Sequence, residues 1–165
     1  MSQQQFEVWK MITIGGKTKD QLIAAIEVNG ARVSKTSREM MHTDAFTTLP
    51  EPTHVRLVKL PLLVLGFRRY CNANDLLDRA KEDGLNPCPP EVAPCLRLVD
   101  RDQPCESGYR IGMRPIVGAD GKLRLFKLDR NYWNGRWLRN ELARPADLWR
   151  PTSEFIFLAP EEAPR

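Results

Sequence analysis

Thiols and imidazoles are the first side chains in this sequence that could do chemistry. The chain has four cysteines, at positions 71, 88, 95 and 105, and two histidines, at 42 and 54. Structural zinc sites commonly use cysteine pairs with about two to four residues between them, because a single tight turn must present both sulfurs. The successive cysteines here lie 17, 7 and 10 positions apart. We therefore expect no metal ligand and no cofactor, and we predict that the thiols pack in the core as small apolar groups.

Cys88 is the thiol that could most readily be reactive. It stands beside a predicted helix start, where the helix dipole lowers the pKa of a thiol and favours the nucleophilic thiolate. A cysteine enzyme also requires a base that a third group orients, and neither His42 nor His54 lies in a recognisable motif. A cysteine-dependent enzyme is therefore the least favoured hypothesis. The sequence predicts no catalytic residue, and the question of enzymatic activity stays open, leaning towards none.

Two further patterns have both a chemical and a structural interpretation. Glu91, Asp100 and Asp102 could supply paired carboxylates for acid–base catalysis, but acidic residues near turns are common, and a solvated loop is the simpler interpretation of Asp100-Arg101-Asp102. Gly16-Lys17-Thr18 follows a predicted strand and precedes a predicted helix, as the end of a phosphate-binding loop does. Such a loop needs a glycine five positions before Gly16, and that position is Met11. We expect an ordinary turn with a threonine cap here.

The strongest functional signal is a basic and aromatic segment, residues 122–150. It holds eight lysines and arginines and three acidic residues, a net charge of +5, against +4 for the whole chain. Arginines bind phosphates and flat rings stack on unpaired bases, so this interleaving is typical of single-stranded nucleic-acid binding. The candidate nucleic-acid-binding residues are Arg130, Tyr132, Trp133, Arg136 and Arg139. In the structural alternative, Trp137 and Trp149 anchor a small core and the arginines cover their edges.

A single α+β domain is predicted to position these side chains. It covers residues 6–159, with a mostly antiparallel sheet and three to four short helices, between flexible ends at 1–5 and 160–165. The apolar and capping patterns predict strands over residues 6–14, 54–60 and 155–158, and helix starts near Thr18, Ser34, Asn72 and Pro89 or Pro90. A chain of 165 residues is long enough to build one such core.

Two hairpins are predicted from their turn residues, since Asp-Gly and Asn-Gly tolerate the positive φ of tight turns. The first surrounds Gly118-Ala119-Asp120-Gly121, with Ile111 and Met113 on one side and Leu123 and Leu125 on the other. The second surrounds Asn134-Gly135. It pairs the end of the strand over residues 122–129 with the stretch over residues 136–138.

Composition narrows the class of protein further. The longest apolar run, from Leu60 to Phe67, has eight residues and is too short to span a membrane. The first residues lack the basic and apolar regions of a secretory signal. Four cysteines without an export signal favour reduced thiols, so we expect a cytoplasmic protein.

The central part of the chain resembles a family of short, uncharacterised bacterial proteins of the kind found in candidate-phylum genomes. The resemblance covers most of residues 6–159 and is carried by the following motifs: Leu65-Gly66-Phe67, Gly84-Leu85, Cys88-Pro89, Glu91-Val92, Pro94, Leu96-Arg97-Leu98, Asp102-Gln103-Pro104, Pro115-Ile116, Gly121, Phe126, Trp137-Leu138 and Trp149. It implies a single intact domain and no particular functional residue.

The leading hypothesis is a non-catalytic interaction module in the cytoplasm. Its expected partner is an unknown macromolecule, with a protein favoured over a nucleic acid, and membrane association is not expected. Nucleic-acid binding through residues 122–150 is the alternative. The sequence leaves the oligomeric state open.

Overall fold

The strands and helices of this protein are short, and most begin at the predicted caps and turns. The computed structural model describes residues 5–161. Its strands are β1 (Lys10–Ile14), β2 (Arg32–Val33), β3 (Thr53–Pro61), β4 (Ser107–Ile111), β5 (Ile116–Val117), β6 (Leu123–Asn131), β7 (Gly135–Leu142) and β8 (Glu154–Leu158). Its helices are α1 (Lys19–Val28), α2 (Lys35–Met41), α3 (Ala73–Glu82) and α4 (Val92–Val99), with a 3₁₀ turn at Leu62–Leu65.

One mixed sheet joins all eight strands. The order is β1-β3-β8-β4-β6-β7-β2, and β5 pairs with β6 beside β4. Five of the pairings are antiparallel, and two, β4 with β8 and β2 with β7, are parallel. Parallel neighbours require long connections, and more than 40 residues separate β4 from β8. The predicted single α+β domain with a mostly antiparallel sheet and short helices is confirmed.

Side-chain caps start three of the four helices where the sequence predicted them. Thr18 and Gln21 form a reciprocal capping box at α1, with N–O distances of 2.9 and 3.2 Å. Ser34 caps α2, and the Asn72 side chain accepts a hydrogen bond from Asp75 N at 2.9 Å at α3. These oxygens satisfy backbone N–H groups that have no partner inside the helix.

Helix α4 begins later than predicted, at Val92 instead of Pro89 or Pro90. Pro94 is the third helical residue, where a missing N–H disrupts nothing because the first-turn donors lack intrahelical partners. Cys88 therefore precedes the helix by several residues and is not at its first turn, which corrects the position on which the nucleophile hypothesis depended.

The hairpin predicted around Gly118–Gly121 is interrupted. Strand β5 pairs with the start of β6, while β4 pairs with the far end of β6, and residues 112–115 between them form no strand. The interruption begins at Gly112, where an added Cβ would lie 2.3 Å from the ring of Phe157. A packed aromatic ring therefore occupies the space that a side chain would need.

The two faces of the sheet have different surroundings. We call the face that carries Tyr109, Leu128 and Leu138 the helix face, because α4 packs on it and these side chains are buried. On the opposite face the same three strands carry Arg110 and Lys127, among other charged side chains, and these are only half-buried.

The predicted flexible ends fall mostly outside the described residues, since residues 1–4 and 162–165 are not described. Within residues 5–161, Pro160 is tied to the sheet, because its carbonyl accepts a hydrogen bond from Arg56 at 2.7 Å. The same residues contain no helix that is long and apolar enough to cross a membrane.

Candidate functional site

The centre of the basic and aromatic segment forms the β6–β7 hairpin. Its register pairs Asn131 with Gly135 and Arg130 with Arg136, so three residues, Tyr132 to Asn134, form the loop. Gly135 has φ +78°, the left-handed conformation that closes three-residue hairpin loops. The predicted second hairpin is confirmed, and its glycine is the first residue of the returning strand.

Two aromatic side chains form the tip of this hairpin. Tyr132 is 69% exposed and Trp133 is 88% exposed, and their rings meet edge to face at 5.1 Å between centroids. The Tyr132 N–H donates to Glu106 Oε1 at 2.5 Å, which fixes the first residue of the loop. Since large aromatic side chains are rarely left this exposed without a partner, the tip is the clearest surface candidate in the described chain.

Arg130 and Arg136 lie directly opposite each other on the helix face, beyond the end of the buried core. Arg130 donates to the Gln103 carbonyl at 2.6 Å, and Arg136 donates to the Asn29 carbonyl at 2.8 Å. Asn29 ends α1, so Arg136 also interacts favourably with the negative end of that helix. The Nη1 atom of Arg136 is buried and has no hydrogen-bond partner among the described residues.

Arg139 is separated from the other four candidate residues. It lies on the opposite face of the sheet, where its guanidinium stacks over the Trp137 ring at 4.3 Å and approaches Asp129 at 3.8 Å. The Trp137 ring also contacts the guanidinium of Arg32 at 5.5 Å. Four of the five predicted residues thus meet at the hairpin end, and the fifth belongs to a separate cation–aromatic cluster.

Arg97 supports the hairpin from below, a role that the sequence did not predict. It is completely buried on α4, and it donates to the carbonyls of Asp129 and Trp137, one on each strand of the hairpin, at 3.2 and 3.4 Å. It also donates to Gln103 Oε1 at 2.6 Å and to the Asp100 carbonyl at 2.7 Å. Burial, only partly offset by the negative charge of Asp100, lowers the pKa of Arg97 to about 10. A lone arginine in a helix gives no signal that distinguishes this role from a solvated one.

The positive charge near the hairpin end is only partly offset internally. Four arginines gather there and make their hydrogen bonds with carbonyl or amide groups: Arg97, Arg101, Arg130 and Arg136. None of the four forms an ion pair with an aspartate or glutamate within residues 5–161. Arg97 is buried and Asp100 offsets part of its charge, so Arg101, Arg130 and Arg136 are the arginines that can offer positive charge to an external anion.

The thiols do not form a reaction centre with the histidines. Cys88 is buried and its thiol donates to the Ile156 carbonyl at 3.5 Å, and burial raises its pKa far above the ordinary value. The described contacts of His54 and His42 are with Thr13, Asp20 and the Arg38 carbonyl, and none of them is a sulfur. Cys71 and Cys95 are buried as well, whereas Cys105 is exposed.

Two of the three carboxylates considered for acid–base chemistry have structural partners, and the third, Asp102, is exposed. Glu91 is 1% exposed, and its two oxygens accept hydrogen bonds from Gly15 N at 2.8 Å and Leu49 N at 3.0 Å. Asp100 is buried, accepts from the Tyr109 hydroxyl at 2.9 Å and pairs with Lys10 at 3.0 Å, so its assignment to a solvated loop is wrong. The sequence missed this because Asp100 pairs with residues about ten and ninety positions away.

A polar groove of about 730 Å³ lies between the opposite face of the sheet and residues 147–154. Glu141 on its floor forms a two-point ion pair with Arg110, with both distances at 3.0 Å. Trp149 Nε1 donates to Glu141 at 2.8 Å, and Lys127 lies 3.2 Å from it. Because Glu141, Arg110 and Lys127 pair with one another on the floor of the groove, these charged groups do not favour a charged ligand.

No group of three or more histidine, cysteine, aspartate or glutamate side chains is arranged to hold a metal ion within residues 5–161.

The chain matches none of the family models, curated proteins or solved structures with which it was compared. The resemblance to uncharacterised bacterial proteins therefore stays a prediction.

Proposed function

We propose that this protein is a non-catalytic binding module whose β6–β7 hairpin end takes single-stranded nucleic acid. In this proposal Tyr132 and Trp133 stack on bases, while Arg130 and Arg136 contact phosphates. Arg139 contributes from the other side of the hairpin. The observation that carries the proposal is the exposure of two aromatic rings beside arginines that have no carboxylate partner.

The chemistry of the surface favours a nucleic acid over a protein at this position. Protein hot spots also use tryptophan, tyrosine and arginine, but they require a complementary apolar pocket on the partner. Exposed rings together with uncompensated guanidinium groups meet both needs of a single strand, which presents flat bases and phosphates in alternation. A protein partner at the hairpin tip is the competing outcome of the experiment below.

The proposal also concerns the cellular compartment. Four free cysteines, three of them buried beside apolar side chains, support a reducing environment such as the cytoplasm.

Binding of a fluorescein-labelled 12-nucleotide oligothymidine, followed by anisotropy at low salt, tests the proposal. We expect Trp133→Ala and Tyr132→Ala each to weaken binding by roughly five- to a hundredfold, because a stacked base contributes about 1–3 kcal/mol. Tyr70→Ala is the matched control, since Tyr70 is also an exposed tyrosine, at 61%, but lies outside the hairpin. Its affinity should stay at the wild-type value.

Two results would contradict nucleic-acid binding at the hairpin. One is the absence of binding to both the oligothymidine and a duplex of equal length at low salt. The other is an equal loss of affinity in Trp133→Ala and in the Tyr70→Ala control, which would point to non-specific attraction by the whole basic surface.

A further inference from the structure

Three neighbouring cavities lie along the connection between β4 and β5, and they share no lining residue with the hairpin end. Their volumes are about 210, 410 and 360 Å³, and Pro115 lines all three. Asn74 lines the first and the second cavity, and Pro87 and Arg114 line the second and the third. We call this row of cavities the trough; a row of small cavities suits an extended chain better than a compact small molecule.

The backbone along this trough has unused hydrogen-bonding groups. Met113, Arg114 and Pro115 belong to no helix or strand, because the sheet is interrupted after Gly112. Arg114 is exposed, and its backbone N–H and carbonyl have no hydrogen-bond partner among residues 5–161, whereas Met113 is buried. An extended peptide bound alongside can pair with such groups as an added strand does, gaining affinity from main-chain hydrogen bonds.

The side chains that line the trough define the chemistry of the occupant. Leu77 and prolines that include Pro87 and Pro115 form the apolar part of its walls, and the polar part includes Asn74, Asp78, Lys81 and Arg114. Arg114 and Lys81 are exposed and form no ion pair or side-chain hydrogen bond within the described chain, and Asp78 is the single carboxylate that lines the trough. Lys81 and Arg114 therefore outnumber the single carboxylate beside the prolines, and a guanidinium such as that of Arg114 can bind a carboxylate through two parallel hydrogen bonds.

We propose that this trough docks an extended, acidic segment of a partner protein. The main chain of the segment pairs with the backbone N–H and carbonyl of Arg114. Its carboxylates face Arg114 and Lys81, and its apolar side chains rest against the proline-rich wall. This function is separate from nucleic-acid binding and does not depend on it.

Selection of random heptapeptides displayed on phage, with the full chain immobilised, tests the proposal. We expect enrichment of peptides rich in aspartate and glutamate with apolar residues between them. The most enriched peptide is then synthesised, and its affinity is measured by isothermal titration calorimetry. Arg114→Glu should weaken its binding at least about tenfold, which corresponds to the loss of one charged pair.

Arg69→Glu is the matched control, because Arg69 is an exposed arginine that lines none of the cavities. It changes the net charge equally and should leave the peptide affinity unchanged. A second measurement follows hydrogen exchange of the Arg114 amide by NMR, which we expect to slow when the peptide is bound.

The proposal is overturned if the selected peptides lack acidic residues, if Arg69→Glu weakens binding as much as Arg114→Glu, or if exchange of the Arg114 amide does not change. Displacement of the peptide by oligothymidine would also overturn it, since a single polyanion surface would then explain both ligands. Because Trp133→Ala should leave peptide affinity intact, failure at the trough is distinguishable from failure at the hairpin.

Discussion

Burial decides which of the individual side chains in this protein can react. Burial raises the pKa of Cys71 to about 11 and that of Cys95 to about 12, with neighbouring carboxylates adding to the effect in both. The Cys88 thiol is shifted further still, whereas Cys105 lies in solvent. A thiol held in its neutral form and shielded by packed side chains is a poor nucleophile.

Titration with Ellman's reagent at pH 8 checks this prediction. We expect one of the four thiols, Cys105, to react rapidly in the native protein, and the other three to react only after unfolding in guanidinium chloride. Cys105→Ser is the control and should abolish the rapid phase. A rapid phase that persists in Cys105→Ser and disappears in Cys88→Ala would restore the cysteine-enzyme hypothesis.

Glu141 is the carboxylate with the clearest electrostatic contribution to stability. Burial by itself would raise its pKa, but hydrogen bonds from Arg110 and Trp149 and the charges of Arg110 and Lys127 outweigh burial and lower the pKa to about 2. Because this pKa lies below the value of 4.5 for an unperturbed glutamate, the carboxylate stabilises the fold above about pH 4.5. That stabilisation is lost as the pH falls towards 2.

Urea unfolding of wild type and Glu141→Gln between pH 7 and pH 2.5 measures this effect. We expect the variant to lose roughly 2 kcal/mol at pH 7, and the difference to shrink steadily below about pH 4.5. Asp120→Asn is the control: the pKa of Asp120 is also about 2, but its pair with Arg124 is screened by water. A Glu141→Gln difference that is constant with pH would show that packing, and not charge, causes the loss.

At the scale of elements, the register of the β6–β7 hairpin presents the candidate site. Gly135, at φ +78°, keeps the loop at three residues and directs Tyr132 and Trp133 away from the sheet. A Cβ at this position would meet no atom within 4 Å, so the backbone conformation alone requires glycine.

Gly135→Ala should lower the free energy of unfolding by about 1–2 kcal/mol, since a side chain disfavours the left-handed region. We expect it also to weaken oligothymidine binding, because the loop relaxes. Gly121→Ala is a matched control: Gly121 has φ +81°, also with no atom within 4 Å of a Cβ, and it lies in the other hairpin. It should lose similar stability with unchanged binding. Equal oligothymidine affinity of Gly135→Ala and Gly121→Ala would show that the geometry of the hairpin tip does not contribute to binding.

At the scale of the whole molecule, charge is unevenly distributed. Most lysines and arginines on the opposite face of the sheet have carboxylate partners, whereas those at the hairpin end do not. A binding protein releases counterions in proportion to the phosphates that it neutralises, and an arginine already paired with an internal carboxylate neutralises a phosphate less completely.

The salt dependence of oligothymidine binding tests this asymmetry. We expect Arg136→Ala and Arg139→Ala to reduce the slope of log affinity against log salt, by about 0.7 for each phosphate that the variant no longer neutralises. The reduction should be smaller for Arg139→Ala, because Asp129 already balances part of that charge. Arg69→Ala is the control and should keep the wild-type slope; a slope near zero in the wild type would contradict phosphate binding.

The sequence by itself determined most of the local structure. Thr18, Ser34 and Asn72 start helices because their side-chain oxygens accept from the next turn, a contact within three residues along the chain. The β6–β7 hairpin was predicted for the same reason, since Gly135 closes a loop between adjacent strands. These caps and turns join residues that are close together in the sequence, so a short stretch of chain already contains both partners of each contact.

Only the tertiary structure decided how the charges are used. Asp100 and Arg97 are buried because partners as distant as Lys10 and Trp137 fold onto them, and no local pattern specifies such contacts. The sheet likewise separates Arg139 from Arg136, although three positions divide them, since strand residues an odd number apart face opposite sides. Whether an arginine meets a carboxylate, a carbonyl or solvent depends on the packing of distant segments, and that packing joins Arg130 and Arg136 to carbonyls instead of carboxylates.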